Sequence, residues 1–530
     1  MDNNYIVKTE YGKVRGFSQM SLVDIPYIRF LGIPYATPPV GNLRFKSPLP
    51  PSPWGENILD GNEEKSACAG KNNVIKQFVG SDDCLYLNIF TKNLNPKKPC
   101  PVMVYIHGGG HCTGSSTLNS YSPDYILMSD VVLVTINYRL GPLGFLTLQD
   151  KSLNIPGNAG LKDQQLAMKF VKDNISNFGG DPNNCTLFGH SSGATCVSLH
   201  CLAESSRGLF NRALVMSGSP VAPESCMLDN DYALKLARHL GFDGHSESDV
   251  LEYLEKADAI AMAEAQFNLN GPCEYVPYTF GPCIEPYETS TAFMLHEPMN
   301  LLKSAWSNDI DLMLGGTADE GYCTESKFES DPNYESIIPS DLKLKVNDKT
   351  LKEYATRLKD FYLKLFPTEY EAYKTFNGDQ FRWMAMQRFV HSRQNSSGKG
   401  RTFFYRFAVD SPTQNHYRNR WFGLGSKGVV HADELSYLWK NIQGDVPSRD
   451  SIEFLSIIRF VNLITSFATT GDPNSNVLNL DFNSFNWKPV DTPPYKGLNI
   501  GEILEFEILG ESKRLELLEA LYKESAIQLF

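Results

Sequence analysis

The stretch FGHSSGAT at 188–195 decides how this chain is read. Its centre, Gly189-His190-Ser191-Ser192-Gly193, fits G-x-S-x-G, a pattern that long chains also produce by chance. The flanks give it weight. Residues 185–188, CTLF, read as a buried strand, and residues 194–203 read as a helix. A serine at such a strand-to-helix turn, with glycines on both sides, is held in a strained backbone conformation with its hydroxyl exposed. A Ser/Gly-rich turn without chemistry fits the pattern alone equally well, so the decision rests on partners elsewhere in the chain.

Working outward, several runs are apolar on both faces, as strands of a covered parallel sheet should be. They fall at 102–106, 131–136, 186–188, 213–216, 312–314 and 403–405. Between the second and third, Leu166, Ala167, Phe170, Val171, Ile175 and Phe178 share one helical face, and Gly179-Gly180 ends it. Strand, helix, strand, then the serine is a βαβ unit with its reactive turn at a strand's carboxyl end, where open α/β sheets bind ligands. A second helical stretch at 341–367 carries Leu351, Tyr354, Leu358, Phe361, Tyr362 and Leu365 along one stripe and is expected as an insertion over or beside the sheet. No repeat, low-complexity tract or Pro/Gly/Ser-rich linker is evident. The expectation is a single domain over 1–530: α/β, with a large, mostly parallel central sheet flanked by helices and carrying helical insertions.

The composition narrows the class. The chain has 530 residues, 42% hydrophobic and 12% aromatic, enough for an extensive core. Its net charge of −12 and the lack of a Lys/Arg cluster argue against a nucleic-acid partner and against anionic membranes. The start, MDNNYIVKTEYGKVRGF, has no apolar signal core, no apolar run is expected to span a bilayer, and the closing AIQLF matches no retention or lipid signal. A cytoplasmic location is expected. The eleven cysteines fit neither a zinc site nor a disulfide framework, so reduced thiols are the default, with Cys68 and Cys84 as a candidate bridge closing a short loop. No metal and no organic cofactor are expected.

An acyl-transfer serine needs a base, a group that orients the base, and donors for the developing oxyanion. The donors are the easiest to find. After the run ending at Ile106 comes His107-Gly108-Gly109-Gly110, where successive glycines let neighbouring N–H groups converge on one oxygen. A phosphate cradle would need a Lys and Ser/Thr in P-loop order, and neither follows. The expected donors are the N–H groups of Gly109, Gly110 and Ser192. Of ten histidines, His190 adjoins the serine, but the turn is expected to direct its side chain elsewhere. His391, His416 and His431 come late enough in chain order for a base, and His431 stands out, at the start of a loop after a small apolar run. The orienting acid is sought after LMLGGT at 312–317, where Asp319 and Glu320 remain equal candidates.

Together these segments resemble the type-B carboxylesterase (cholinesterase-like) family of the α/β-hydrolase fold, over nearly the whole chain. The likeness rests on FLGIPYA at 30–36, PPVGNLRF at 38–45, SDDCLYLNIF at 81–90, YIHGGG at 105–110, NYRLGPLGFL at 137–146 and PGNAGLKDQ at 156–164. FGGDP at 178–182, GTADEG at 316–321, GVVHADELSYLW at 428–439 and FATTGDPN at 467–474 complete it. The resemblance implies Ser191 as nucleophile, His431 as base, Glu320 as acid and Ser217 as a supporting serine beside the acid. Within the family the chain looks most like the intracellular insect alpha-esterases, given GHSSG, HADELSYLW and the absence of a signal peptide.

Departures narrow the expected substrate. Cholinesterases carry glutamate where His190 stands and a tryptophan ahead of the CLYLN segment, whereas no tryptophan lies between Cys68 and Cys84 here. A quaternary ammonium would lack its cation–π face. Juvenile hormone esterases usually place glutamine at that position. His111 replaces a usual phenylalanine, and Glu224 stands where an acyl-pocket aromatic is common, which marks both as candidate pocket residues. His111 is expected to bring an imidazole near the oxyanion hole, and Glu224 to penalise anionic acyl groups. The function expected is hydrolysis of uncharged carboxylic esters, in xenobiotic or lipid-ester metabolism, open to organophosphate or carbamate inhibition. The alternatives are a slowly turning-over protein that sequesters esters or insecticides, and a juvenile hormone esterase.

Overall fold

The computed structural model describes residues 5–72, 75–227, 231–269, 279–321, 332–441, 444–480 and 485–527. Its centre is a run of parallel strands. In spatial order they are Val132–Ile136, Cys100–Ile106, Gly180–His190, Arg212–Met216, Asp311–Thr317, Thr402–Phe407 and Lys496–Ile500. Antiparallel strands extend both edges. Tyr86–Thr91, Pro26–Pro34, Gly12–Met20 and Tyr5–Thr9 continue one side, and Leu504–Ile508 closes the other, while Gly55–Asp60 pairs parallel with Gly12–Met20. This is the sheet of an α/β-hydrolase.

The order reverses between Cys100–Ile106 and Gly180–His190. The chain first adds a strand on one side, then crosses over to build on the other. At such a switch point the loops leaving two adjacent strands part, opening a crevice at their carboxyl ends. His107–Gly110 and Ser191 are those two exits.

Alternation along the strands sorts side chains into two cores. Val104, Ile106, Leu187, Val215 and Leu314 face the side covered by the Ala159–Asn174 and Ser192–Leu202 helices. Met103, Tyr105, Phe188, Leu214 and Met313 face the other, where Phe460, Leu463, Ile464 and Phe467 of the Ile452–Thr470 helix pack. By length and composition that last helix would suffice to cross a bilayer, contrary to the sequence expectation, yet its apolar face is spent on the sheet. Gly179, at φ 86°, ends the turn that follows Ala159–Asn174.

The inserted helical section runs through Asp348–Leu365, Glu369–Gly378, a π-helical turn at Asp379–Trp383, and Met384–Gln394. Tyr354, Leu358 and Tyr362 of the expected stripe are buried, while Leu365, the last helical residue, is exposed. A disulfide joins Cys68 and Cys84, so the default of reduced thiols fails at the one pair singled out for bridging. The other described cysteines are free, and Cys273 and Cys323 lie outside the described residues.

Candidate active site

The turn at Ser191 is built by crowding. Ser191 sits at φ 57°, ψ −128°, a conformation that non-glycine residues rarely adopt. Its N–H donates to Met216 O at 2.9 Å and its carbonyl accepts from Thr195 N at 2.9 Å, so strand and helix fix it from both sides. A Cβ on Gly193 would lie 2.2 Å from Ile106 O, and one on Gly189 2.7 Å from the Gly193 carbonyl carbon. Only glycine fits there.

His431 arrives on a loop fastened to the neighbouring strand end. The Asp319 N–H donates to Val429 O at 2.9 Å, and its side-chain Oδ2 accepts the Val429 N–H at 2.7 Å. Asp433 accepts the N–H groups of Val430 at 2.9 Å and Arg418 at 3.0 Å. Between these clamps His431 Nε2 lies 2.9 Å from Ser191 Oγ, and its Nδ1 lies 2.6 Å from Glu320 Oε2. Of the two acids left open by the sequence, Glu320 reaches the imidazole and Asp319 holds the loop.

Glu320 is fully buried, and burial opposes its charge. The facing His431, its hydrogen bond and the Ser217 hydroxyl outweigh that cost and bring its pKa down to about 2. Ser217 Oγ donates to Glu320 Oε1 at 2.5 Å, and Thr317 N–H donates to the same oxygen at 2.8 Å. The sequence reading sent the His190 side chain away from the serine. Instead its ring lies against that of His431, with centroids 4.7 Å apart, because the strand ends with residue 190 on the face where the His431 loop returns.

The glycine loop lies directly on the serine. A Cβ on Gly108 would sit 3.1 Å from Ser191 Cβ. Gly109 and Gly110 adopt φ 127° and 62°, and neither N–H is taken by an acceptor among the described residues. The N–H of Ser192 opens a helix, where amides have no intrahelical acceptor. Tyr138 Oη secures the loop's start by donating to His107 O at 2.8 Å.

The two sequence departures meet the same helix. His111 packs its ring on Phe145 at 5.4 Å, with Nδ1 3.7 Å from Cys196 Sγ, and burial drives its pKa down to about 3. The Thr195 hydroxyl donates to Glu224 Oε1 at 3.4 Å, and Glu224 is ion-paired with Arg382 from the π-helical turn. Both members of the pair are buried. Nothing in the sequence pattern marked Arg382. The motif GVVHADELSYLW contained Asp433 and Glu434, but without assigning either a task. The competing histidines have structural partners: His200 lies between Gln164 and Ser206, and His391 contacts Tyr495 Oη at 2.9 Å. No cluster of three or more metal-ligating side chains occurs among the described residues.

A model of the carboxylesterase family matches residues 3–515. The chain belongs to the carboxylesterase family. It is accordingly a serine carboxylic ester hydrolase by class. Esterase B1 of Culex pipiens is 37% identical over 97% of this carboxylesterase and 98% of its own length. Juvenile hormone esterase of Tribolium castaneum is 32% identical, covering 94% of this chain and 89% of its own. The crystal structure of juvenile hormone esterase from Manduca sexta, with OTFP covalently attached, superposes with a TM-score of 0.85 at 25% identity, covering 98% of this carboxylesterase and 100% of that chain.

Proposed function

We propose that this carboxylesterase hydrolyses uncharged carboxylic esters through Ser191, His431 and Glu320. The continuous line from Ser191 Oγ through the His431 ring to Glu320, at 2.9 and 2.6 Å, carries the proposal. Ser191 Oγ attacks the ester carbonyl as its proton passes to His431 Nε2. Glu320 holds Nδ1–H and stabilises the imidazolium. The N–H groups of Gly109, Gly110 and Ser192 receive the oxyanion, and loss of one such donor lowers the rate roughly 100- to 1,000-fold. His431 then gives its proton to the departing alcohol. Water, deprotonated by His431, attacks the acyl-enzyme and releases the acid and free Ser191. The reaction needs no cofactor.

Organophosphates and carbamates are expected to modify Ser191, since they draw the same hydroxyl into a tetrahedral or acyl adduct that water clears slowly. We place the enzyme in xenobiotic or lipid-ester metabolism in the cytoplasm, as one domain over 1–530. The likeness to two juvenile hormone esterases favours a second reading, with juvenile hormone as substrate. A substrate panel varying acyl and alcohol length, run on the wild type and Ser191→Ala, tests both. Burst amplitude with a steady rate on a chromogenic ester supports hydrolysis. A stoichiometric burst with no steady rate would leave the sequestering function instead. His111 faces Cys196 and Phe145, so wild type and His111→Phe are expected to reactivate from a phosphorylated serine at equal rates.

A further inference from the structure

Ser217 touches two carboxyl groups. Its Oγ is 2.5 Å from Glu320 Oε1 and 3.0 Å from Glu434 Oε1, and all three side chains are buried. A serine hydroxyl has one proton to give. Glu320 takes it, since that contact is the shorter and since its other oxygen must accept from His431 as a carboxylate. The hydrogen bond to Glu434 then runs the other way, with Glu434 as donor. That requires a proton on Glu434.

The surroundings agree. Glu434 Oε2 is buried with no hydrogen-bond partner among the described residues, an arrangement costly for a carboxylate and mild for a neutral acid. His190 Nε2 lies 3.5 Å from Glu434 Oε1 without hydrogen-bond geometry, so the imidazole supplies Glu434 with no hydrogen bond. The groups facing Glu434 are Glu320 through Ser217, Asp433 in its own turn, His190 and beyond it His431, and the hydroxyls of Tyr105, Tyr405 and Tyr417. Arg382 directs its charge at Glu320 and His190. Burial, reinforced by the Glu320 charge, pushes the Glu434 carboxyl well up, while burial pushes His190 well down.

We infer that Glu434 is a positioning residue that keeps its proton at neutral pH and, by donating to Ser217, commits the Ser217 hydroxyl to Glu320. The effect reaches the base in two steps. Ser217 and Thr317 occupy Glu320 Oε1, which leaves Oε2 as the only oxygen for His431 and fixes the ring's rotation. Were Glu434 ionised, the serine would be drawn between two anions and the acid would lose that anchor.

The kinetic test rests on the hydrolase proposal; an infrared test does not. Glu434→Ala removes the donor and is expected to lower kcat about tenfold or more with little change in KM. Glu434→Gln supplies an N–H donor of similar shape without a charge and is expected to restore most of the loss. It should also leave the acid limb of the kcat/KM profile in place. An ionised Glu434 would predict the reverse: Glu434→Gln would move the acid limb to lower pH by about one unit or more. Thermal melts and titration of Ser191 with an organophosphate would confirm that each variant is folded.

In infrared difference spectra at neutral pH, wild type minus Glu434→Gln should show the carbonyl stretch of a protonated carboxylic acid. Loss of a carboxylate band in its place would overturn the proposal, whatever the activity measurements give. Full activity in Glu434→Ala would overturn the positioning role.

Discussion

Asp319 Oδ2 accepts the Val429 N–H at 2.7 Å, so the residue preceding the histidine's acid ties down the histidine's own loop. Asp319 N–H also donates to Val429 O at 2.9 Å. The side-chain bond is partly buried and engages a carboxyl group, the kind of contact whose removal costs about 1–3 kcal/mol. Asp319→Ala is therefore expected to lose stability on that scale in urea unfolding. It should also lower kcat about tenfold or more at nearly constant KM, because His431 is misplaced while the pocket stays intact. Glu320→Ala, by contrast, should abolish turnover with a smaller structural effect on the loop.

The Arg382–Glu224 pair behaves as a unit. Removing one member of a buried ion pair strands the other, at about 3–5 kcal/mol, whereas replacing both with apolar groups of similar volume is often neutral or better. Arg382→Met should thus be far less stable than wild type, and Arg382→Met with Glu224→Leu should recover. Chemical denaturation of the two single variants and the double variant checks this. The pairing also cancels the penalty that Glu224 alone would impose. Ester substrates ending in a carboxylate are then expected to react no worse with wild type than with the neutral double variant.

Glu320 sets an acid limit. Its pKa falls from 4.5 to about 2 in the fold. The unfolded chain takes up that proton first, so the stabilisation from the ionised form is complete above about 4.5 and disappears as pH falls towards 2. Melting temperature measured against pH should drop more steeply across that window in wild type than in Glu320→Gln, which has no proton to take up.

The Cys68–Cys84 bridge closes a loop of 16 residues in sequence separation. Chain entropy predicts about 3 kcal/mol for a loop of that size. The double change to serine should lower stability by about that amount in unfolding without reductant, and leave kcat alone. Titration of free thiols in enzyme isolated from its native tissue also bears on location, since a reducing cytoplasm would leave both sulfurs free.

Much of this was legible in the sequence. The parallel strands announced themselves as continuous apolar runs because both their faces are covered, and Gly-rich turns flagged Ser191 and the 107–110 loop. The antiparallel edge was not seen. Tyr5–Thr9 and Gly12–Met20 bury only alternate positions and carry Lys and Arg on the open face, so they look like polar loops. Periodicity could not separate Asp319 from Glu320, since which carboxyl reaches the imidazole depends on how the strand end bends. Arg382 and Glu434 were invisible as functional residues for a related reason. Their partners, Glu224 and Ser217, lie 158 and 217 positions away, and only the folded sheet brings them together.

Ser191 meets His431 across 240 positions, and His431 meets Glu320 across 111. No fragment of the chain contains the three on a short tether, so an activated hydroxyl is absent until strands from both halves have docked. Covalent labelling at Ser191 would then serve as a clock for maturation: newly made chains should stay inert towards a fluorophosphonate probe until the last crossover strands are in place. A half-built enzyme is thereby harmless to the esters around it.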